Sequence, residues 1–112
     1  MKIAVTATNA GMDAKIDPRF GRAAGFTIID TDTKHAEYLT NEKGLSSDQG
    51  AGVQAAQMMA SQGVQLLITG HTGPKATAAL NAAQIKVYLC AEGTVQEALD
   101  SYRNDTLDQI AP

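Results

Sequence analysis

The chain has 112 residues and a mass of 11.7 kDa, one domain's worth of sequence, and nine basic against twelve acidic side chains leave it at −3, which argues against a general binder of nucleic acid or anionic membrane. Cys90 is its single cysteine, so it cannot form an internal disulfide, a zinc knuckle or a cysteine-ligated iron–sulfur centre by itself. Its apolar residues, 44% of the chain, are rich in alanine and poor in aromatics, so the core must be thin and tightly packed, and no apolar stretch approaches the ~20 residues of a membrane span.

Met1 and Lys2 lead directly into strand-like Ile3, Ala4 and Val5, without the apolar core and small-residue cleavage site of a signal peptide, so a soluble cytoplasmic domain is expected. Lys2 to Thr8 places Ile3, Val5 and Ala7 on alternate positions and predicts a strand; after a long loop, the short apolar run Phe26 to Asp30 predicts a second. Asp30-Thr31-Asp32-Thr33-Lys34 has turn chemistry, and Glu37 to Asn41, with Leu39 on the face opposite Tyr38 and Thr40, predicts a third strand returning as a hairpin. Gly44 to Gly52 reads as a polar flexible loop.

Gly52 to Gln62 sets Val53, Ala56 and Ala60 along one helical stripe and stops at Gly63. The nearly continuous apolar run Val64 to Thr69 is the pattern of a strand covered on both faces. Gly73-Pro74 opens a helix striped by Ala76, Ala79, Leu80 and Ala83, Ile85 to Cys90 is the next strand, and Thr94 with Glu97 forms a T-x-x-E capping box for a last helix. After Arg103 the polar tail is expected to fray.

The order β-β-β-α-β-α-β-α, with right-handed crossovers and an antiparallel opening hairpin, predicts one α/β domain over residues 1–112, its core at about 2–103 and its frayed tail at 104–112. Its sheet would be five-stranded and mixed, with strand 1 central and helices on both faces. Ligand sites in such sheets gather at the carboxyl ends of the parallel strands, here Thr8-Asn9-Ala10-Gly11, Thr69 to Gly73 and Cys90 to Gly93.

Three segments carry candidate chemistry. In Asp17-Pro18-Arg19-Phe20-Gly21-Arg22 two weakly hydrated, many-donor guanidiniums flank a Phe-Gly pair and suit a multivalent anion; the other reading is a core Phe20 with the arginines paired to Asp13, Asp17 or Asp30. Gly70-His71-Thr72-Gly73-Pro74-Lys75 fits neither the P-loop nor the dinucleotide spacing, but a helix N-terminus beside Lys75 and His71 can attract an anion; otherwise it is an ordinary tight turn. Gly50-Ala51-Gly52 would let a bulky ligand approach the backbone of another helix start, or is simply the end of an exposed linker. Cys90 is either a half-buried core thiol or, at its strand's end, within reach of a ligand, and Met58 and Met59 read as helix packing. Catalysis lacks support: there is no G-x-S-x-G elbow, and strand 1 has no carboxylate for a two-metal nuclease.

Taken in order, Lys2-Ile3-Ala4-Val5, Asp17 to Ala23, Gly50-Ala51-Gly52, Gly70-x-x-Gly73-Pro74-x-Ala76, Ile85-Lys86-Val87-Tyr88 and Gly93-Thr94-Val95-x-Glu97-Ala98 resemble the dinitrogenase iron–molybdenum cofactor biosynthesis family, the NifX, NifB C-terminal and NafY type domains with their small stand-alone members. The resemblance spans Lys2 to about Tyr102. It implies a ribonuclease-H-like three-layer fold without nuclease activity, and a carrier of metal–sulfur clusters or their precursors, one stand-alone branch being associated with a molybdenum–copper sulfide. Many relatives carry His where this chain has Arg19, and several His in the stretch that is here Asn41 to Gln49.

With one Cys and only His35 and His71, the chain offers few metal ligands, His71 and Cys90 being the candidates. The implied reading is a preformed anionic cluster, molybdenum-containing and non-covalently bound. Arg19, Arg22, Lys75 and backbone N–H groups would hold it from outside, with Asn9, Phe20, Gly21, Gly50, Ala51, Gly52, Gly70, His71, Thr72 and Gly73 around it. The implied partners are cluster donor and acceptor proteins, with neither nucleic acid nor membrane. The competing class is a metal-free regulatory or interaction module for a phosphate-bearing metabolite or a protein.

Overall fold

The computed structural model describes residues 1–42 and 50–110; most of the loop predicted from Gly44 to Gly52, namely residues 44–49, together with residue 43 and the last two tail residues, lies outside them. The elements are β1 (Lys2–Ala7), β2 (Gly25–Asp30), β3 (Ala36–Thr40), α1 (Ala51–Ser61), β4 (Leu66–Thr69), α2 (Pro74–Ala82), β5 (Lys86–Leu89), α3 (Val95–Arg103) and β6 (Asp108–Gln109). They form one mixed sheet in the order β3-β2-β1-β4-β5-β6. β1 pairs antiparallel with β2 and parallel with β4, β5 continues parallel to β4, and the two edges, β3 and β6, are antiparallel to their neighbours.

The sheet therefore has six strands, not five, and the tail is not frayed over the described residues. The chain turns at Asp105 (φ 59°), and the Ile110 N–H then donates to the Val87 carbonyl at 2.8 Å, closing an antiparallel ladder on the open edge of β5. Leu107 and Ile110 pack against opposite faces of the sheet. Two isolated apolar residues among polar ones give no strand periodicity. The pairing comes from backbone groups that β5 leaves open, which side-chain patterning does not report.

Alternation along β1 divides the core. Ala4, with Phe26, Ile28 and Leu67, faces α1 and α2 through Ala55, Ala56, Met59, Ala76 and Leu80. Ile3 and Val5, with Leu66 and Ile68, face α3 through Val95, Ala98 and Leu99. Helices thus cover both faces, as expected. α1 sits rotated from the predicted stripe: Ala51, Ala55, Ala56 and Met59 are buried while Ala60 is exposed, and Ala83 falls beyond the end of α2.

The abundance of alanine has a geometric use. A Cβ on Gly52 would lie 2.8 Å from the Ala76 Cβ, so α1 and α2 begin in near backbone contact. A helix pair this close needs small side chains at the crossing.

Candidate functional site

The close approach of α1 and α2 brings their N-terminal ends to one hollow beside the carboxyl end of β4. The third wall is the segment after Asp17, whose position is fixed from the centre of the sheet outward. The Thr6 and Thr69 hydroxyls, buried on β1 and β4, lie 2.9 Å apart; Thr6 also donates to the Asp17 carbonyl, and the Asp17 N–H donates to the Thr6 carbonyl at 3.0 Å. From there Arg19 bridges alongside His71 as a short parallel extension of the sheet, and the Phe20 N–H donates to the His71 carbonyl at 3.3 Å.

Phe20, 2% exposed, turns into the core with its ring 5.9 Å from that of Phe26. The next turn is held by Asn41, 1% exposed, whose amide donates to the carbonyls of Gly21 and Ala23, both at 3.0 Å. Gly21 is required by packing: its Cβ would meet the Gly52 nitrogen at 2.7 Å. Asn41 is a site-forming residue that sequence reasoning passed over as the last residue of a strand; a buried carboxamide caps a neighbouring loop only once the fold is known.

The hollow has a volume of about 690 Å³ and is lined by Arg19, Phe20, Gly21, Arg22, Gly50, Ala51, Gly52, Val53, His71, Gly73, Pro74, Lys75 and Ala76. All three predicted segments meet there, although they lie far apart in the chain. Val53 and Ala76 were not among the expected site residues, and Pro74 stood in a candidate segment without a role of its own; they continue the helix starts and make the walls apolar.

Four expected residues stand elsewhere. The Asn9 side chain is exposed and takes part in a 2.8 Å hydrogen bond with Thr8. Gly70 lies beneath Pro18, whose Cβ would be 2.7 Å from an added Cβ, and the Thr72 hydroxyl is bonded to that of Thr77 at 2.7 Å. Cys90 packs against the α3-side core, and its thiol donates to the Glu92 carbonyl at 3.3 Å. Of the two candidate metal ligands, then, only His71 lines the hollow, and among the described residues no group of three or more His, Cys, Asp or Glu comes together.

The expected role of the glycines also needs correction. Gly21 and Gly52 are filled against protein, whereas added Cβ atoms at Gly50 and Gly73 would meet nothing within 4 Å. Only the latter pair leaves backbone open to a ligand.

Electrostatically, the lining contributed by the described residues has three fixed cations, Arg19, Arg22 and Lys75, and no carboxylate. Arg19 is paired with Asp17 behind it, at 3.3 Å, and Phe20 is in the core, as the second reading of the arginine segment expects, while the same guanidinium also lines the hollow. Neither Gly50 nor Gly73, the N-caps of α1 and α2, offers a side chain to the first-turn N–H groups, and neither first turn has an acidic residue. α3, away from the hollow, has the complete Thr94–Glu97 capping box. The two helix ends whose N-cap residue gives no side-chain cap are the two that open on the cations, and free N–H dipoles at a helix start attract negative charge. Behind this site, burial, and then the Asp17 charge, push the Tyr38 phenol above its ordinary pKa.

Comparison with known proteins gives a consistent relationship. The family model for the dinitrogenase iron–molybdenum cofactor matches residues 1–105. Among solved structures, the apo orange protein from Desulfovibrio gigas is 45% identical over 98% of this chain and 92% of its own, with a TM-score of 0.95. A NifB-like protein of the DUF35 family from Thermotoga is 32% identical over 96% and 91%, with a TM-score of 0.85. A dinitrogenase-like protein from Methanocaldococcus jannaschii, 18% identical over 99% and 95% with a TM-score of 0.71, shares the fold. No curated protein matches the chain.

Proposed function

The chain belongs to the dinitrogenase iron–molybdenum cofactor family, and from that premise we propose that it is a non-enzymatic carrier of a preformed, anionic, molybdenum-containing metal–sulfur cluster, received from and passed to other proteins. The strand order, with an antiparallel β2 beside β1, supports the ribonuclease-H-like reading of the fold. No helix among the described residues is long and apolar enough to cross a membrane.

One observation supports the cargo above others: a rim of Arg19, Arg22 and Lys75 and two helix starts with glycine N-caps surrounds walls of Val53, Pro74, Ala51 and Ala76. A phosphate is strongly hydrated and favours polar donors over its whole surface. A thiometallate spreads its charge over soft sulfides that lose little on contact with hydrocarbon, so a cationic rim over apolar walls fits it better, and guanidinium is the weakly hydrated cation suited to that role. The metals would keep their own sulfides, since among the described residues His71 is the sole His, Cys, Asp or Glu in the lining. A molybdenum–copper sulfide, as in the stand-alone branch that the sequence resembles, is the form to test first.

Tetrathiomolybdate with Cu(I), added to the purified protein, should give a visible chromophore that co-elutes with the chain. Arg19→Ala with Arg22→Ala should weaken its retention about tenfold or more, each charge-assisted contact contributing about 1.5–3 kcal/mol when desolvated. Equal retention by the double variant would refute the electrostatic mechanism. Protein from its native source that contains a phosphate ester and no molybdenum would instead establish the metal-free alternative.

A further inference from the structure

Asp17 presents a conflict in charge. It is a carboxylate, 4% exposed, set directly behind one of the cations of a site that is to hold an anion. Counted as charge alone it weakens that site. Its contacts suggest another use. Asp17 Oδ1 accepts from the Arg19 backbone N–H at 3.1 Å and from Arg19 Nε at 3.3 Å, while Oδ2 accepts from Arg19 Nη2 at 3.4 Å and from the Ala24 N–H at 3.2 Å. The carboxylate thus closes the whole 17–24 turn and grips the guanidinium along one edge of its plane.

A guanidinium has five N–H donors. Asp17 occupies one on Nε and one on Nη2, and because the group is planar the other three, two on Nη1 and one on Nη2, lie along the edges turned away from Asp17. The Arg19 side chain remains 66% exposed and lines the hollow. A long exposed arginine ordinarily samples many rotamers and loses that freedom when it binds; here the loss has already been taken on folding.

On the reading that the hollow holds an anionic cluster, we infer that Asp17 is a positioning residue: it tightens the binding of the anion by holding Arg19 with its outward donors presented to the hollow, and this effect outweighs the repulsion of its own charge. The inference has a sign opposite to that of charge counting. Removing the negative charge should weaken binding of an anion.

The test is a double-mutant cycle with tetrathiomolybdate as the probe, read by its visible spectrum on the full chain. Asp17→Asn, which keeps the shape but has one acceptor oxygen where four N–H groups converge, should weaken binding about three- to tenfold, the scale of one rotamer-rich side chain losing its order. In the Arg19→Ala background the same substitution should weaken nothing, and should tighten binding slightly through the lost repulsion. A role in folding alone would weaken binding in both backgrounds. Asp17→Asn binding as tightly as the parent, or more tightly, overturns the inference.

Arg19 Nε–H relaxation in the probe-free protein separates this from failure of the cargo reading. If the parent takes up no thiomolybdate, the cluster reading falls; the positioning role then stands if that N–H is ordered in the parent and mobile in Asp17→Asn, and falls if it is mobile in both. Should Asp17→Asn fail to fold, Asp17→Glu, which keeps the charge but displaces the carboxylate by a methylene, takes its place in the cycle with the same expected signs.

Discussion

Gly73→Asp should make the protein more stable and a poorer carrier. Gly73 is the N-cap of α2, in an extended conformation (φ −72°, ψ 169°) open to any residue, and a Cβ there would meet nothing within 4 Å. An aspartate would accept from the first-turn N–H groups that the wild-type helix leaves without a side-chain cap. The better cap adds a few tenths of a kcal/mol, and replacing a glycine restricts the unfolded chain. Together they give about 0.5–1 kcal/mol, or roughly 2–5 °C in Tm for a domain of this size. The same carboxylate, about 6 Å from a unit of cargo charge at an effective dielectric of about 20, opposes binding by about 2.8 kcal/mol, and solvent at the open rim reduces this to roughly tenfold in affinity. Gly73→Asn caps the same groups without the charge and should raise Tm equally with at most a threefold loss. Thermal unfolding by circular dichroism and spectroscopic titration with tetrathiomolybdate give both numbers. If Gly73→Asp retains the anion as tightly as the parent while Tm rises, the α2 terminus plays no part in binding and the electrostatic account of the site is wrong.

Other substitutions probe the frame beneath the site. Gly52→Ala places a methyl 2.8 Å from the Ala76 Cβ, so α1 and α2 must separate; a cost of about 1–3 kcal/mol is expected in denaturant unfolding, with loss of thiomolybdate uptake. Asn41→Leu removes both donors to the Gly21 and Ala23 carbonyls in a buried place, and chemical denaturation should show about 2–3 kcal/mol less stability. Phe20→Ala should cost about 3–5 kcal/mol and release the arginine segment, measurable as faster proteolysis between residues 17 and 24. The Tyr38 phenol is raised in the folded state, so the unfolded chain loses its proton first: this contribution is complete below the unfolded pKa of about 10 and disappears as pH rises through the folded value, and a Tyr38→Phe variant should lose less stability over that alkaline range.

What could be read from the sequence was whatever a local pattern encodes. The alternation in Ile3, Val5 and Ala7, the apolar run of β4 and the Thr94–Glu97 box each report one element, and each element is present. The three candidate segments were also legible, as cations and glycines at the ends of predicted strands and helices, and the parallel pairing of β1 with β4 is what brings them to one hollow. β6 was not legible because edge pairing uses backbone groups. Asn9 and Cys90 were misplaced by one general rule, that ligands collect at strand carboxyl ends: the rule does not say over which face of the sheet, and Cys90 packs on the α3 side while α1 and α2 bound the hollow on the other. The glycine assignments held for Gly50 and Gly73 but not for Gly21, Gly52 and Gly70, since a glycine that leaves backbone open and one that admits another part of the protein look alike until the neighbour is known.

The division of labour between the two faces is what would let an acidic chain keep the proposed anion site. α3 satisfies its own N-terminus with Thr94 and Glu97 and so contributes stability without reference to any ligand. α1 and α2 forgo that device, and their starts are held instead by mutual contact at Gly52 and Ala76 and by the Gly21 turn pressed against them. An acidic cap on either helix would fill the site with the protein's own carboxylate. Among the described residues, the carboxylate set against the hollow, Asp17, is buried behind the guanidinium, where its charge is spent on Arg19 and two backbone N–H groups. Local positive potential depends on which side chains face the hollow more than on the total count of charges, so a net charge of −3 over the whole chain is compatible with three cations gathered in its described lining.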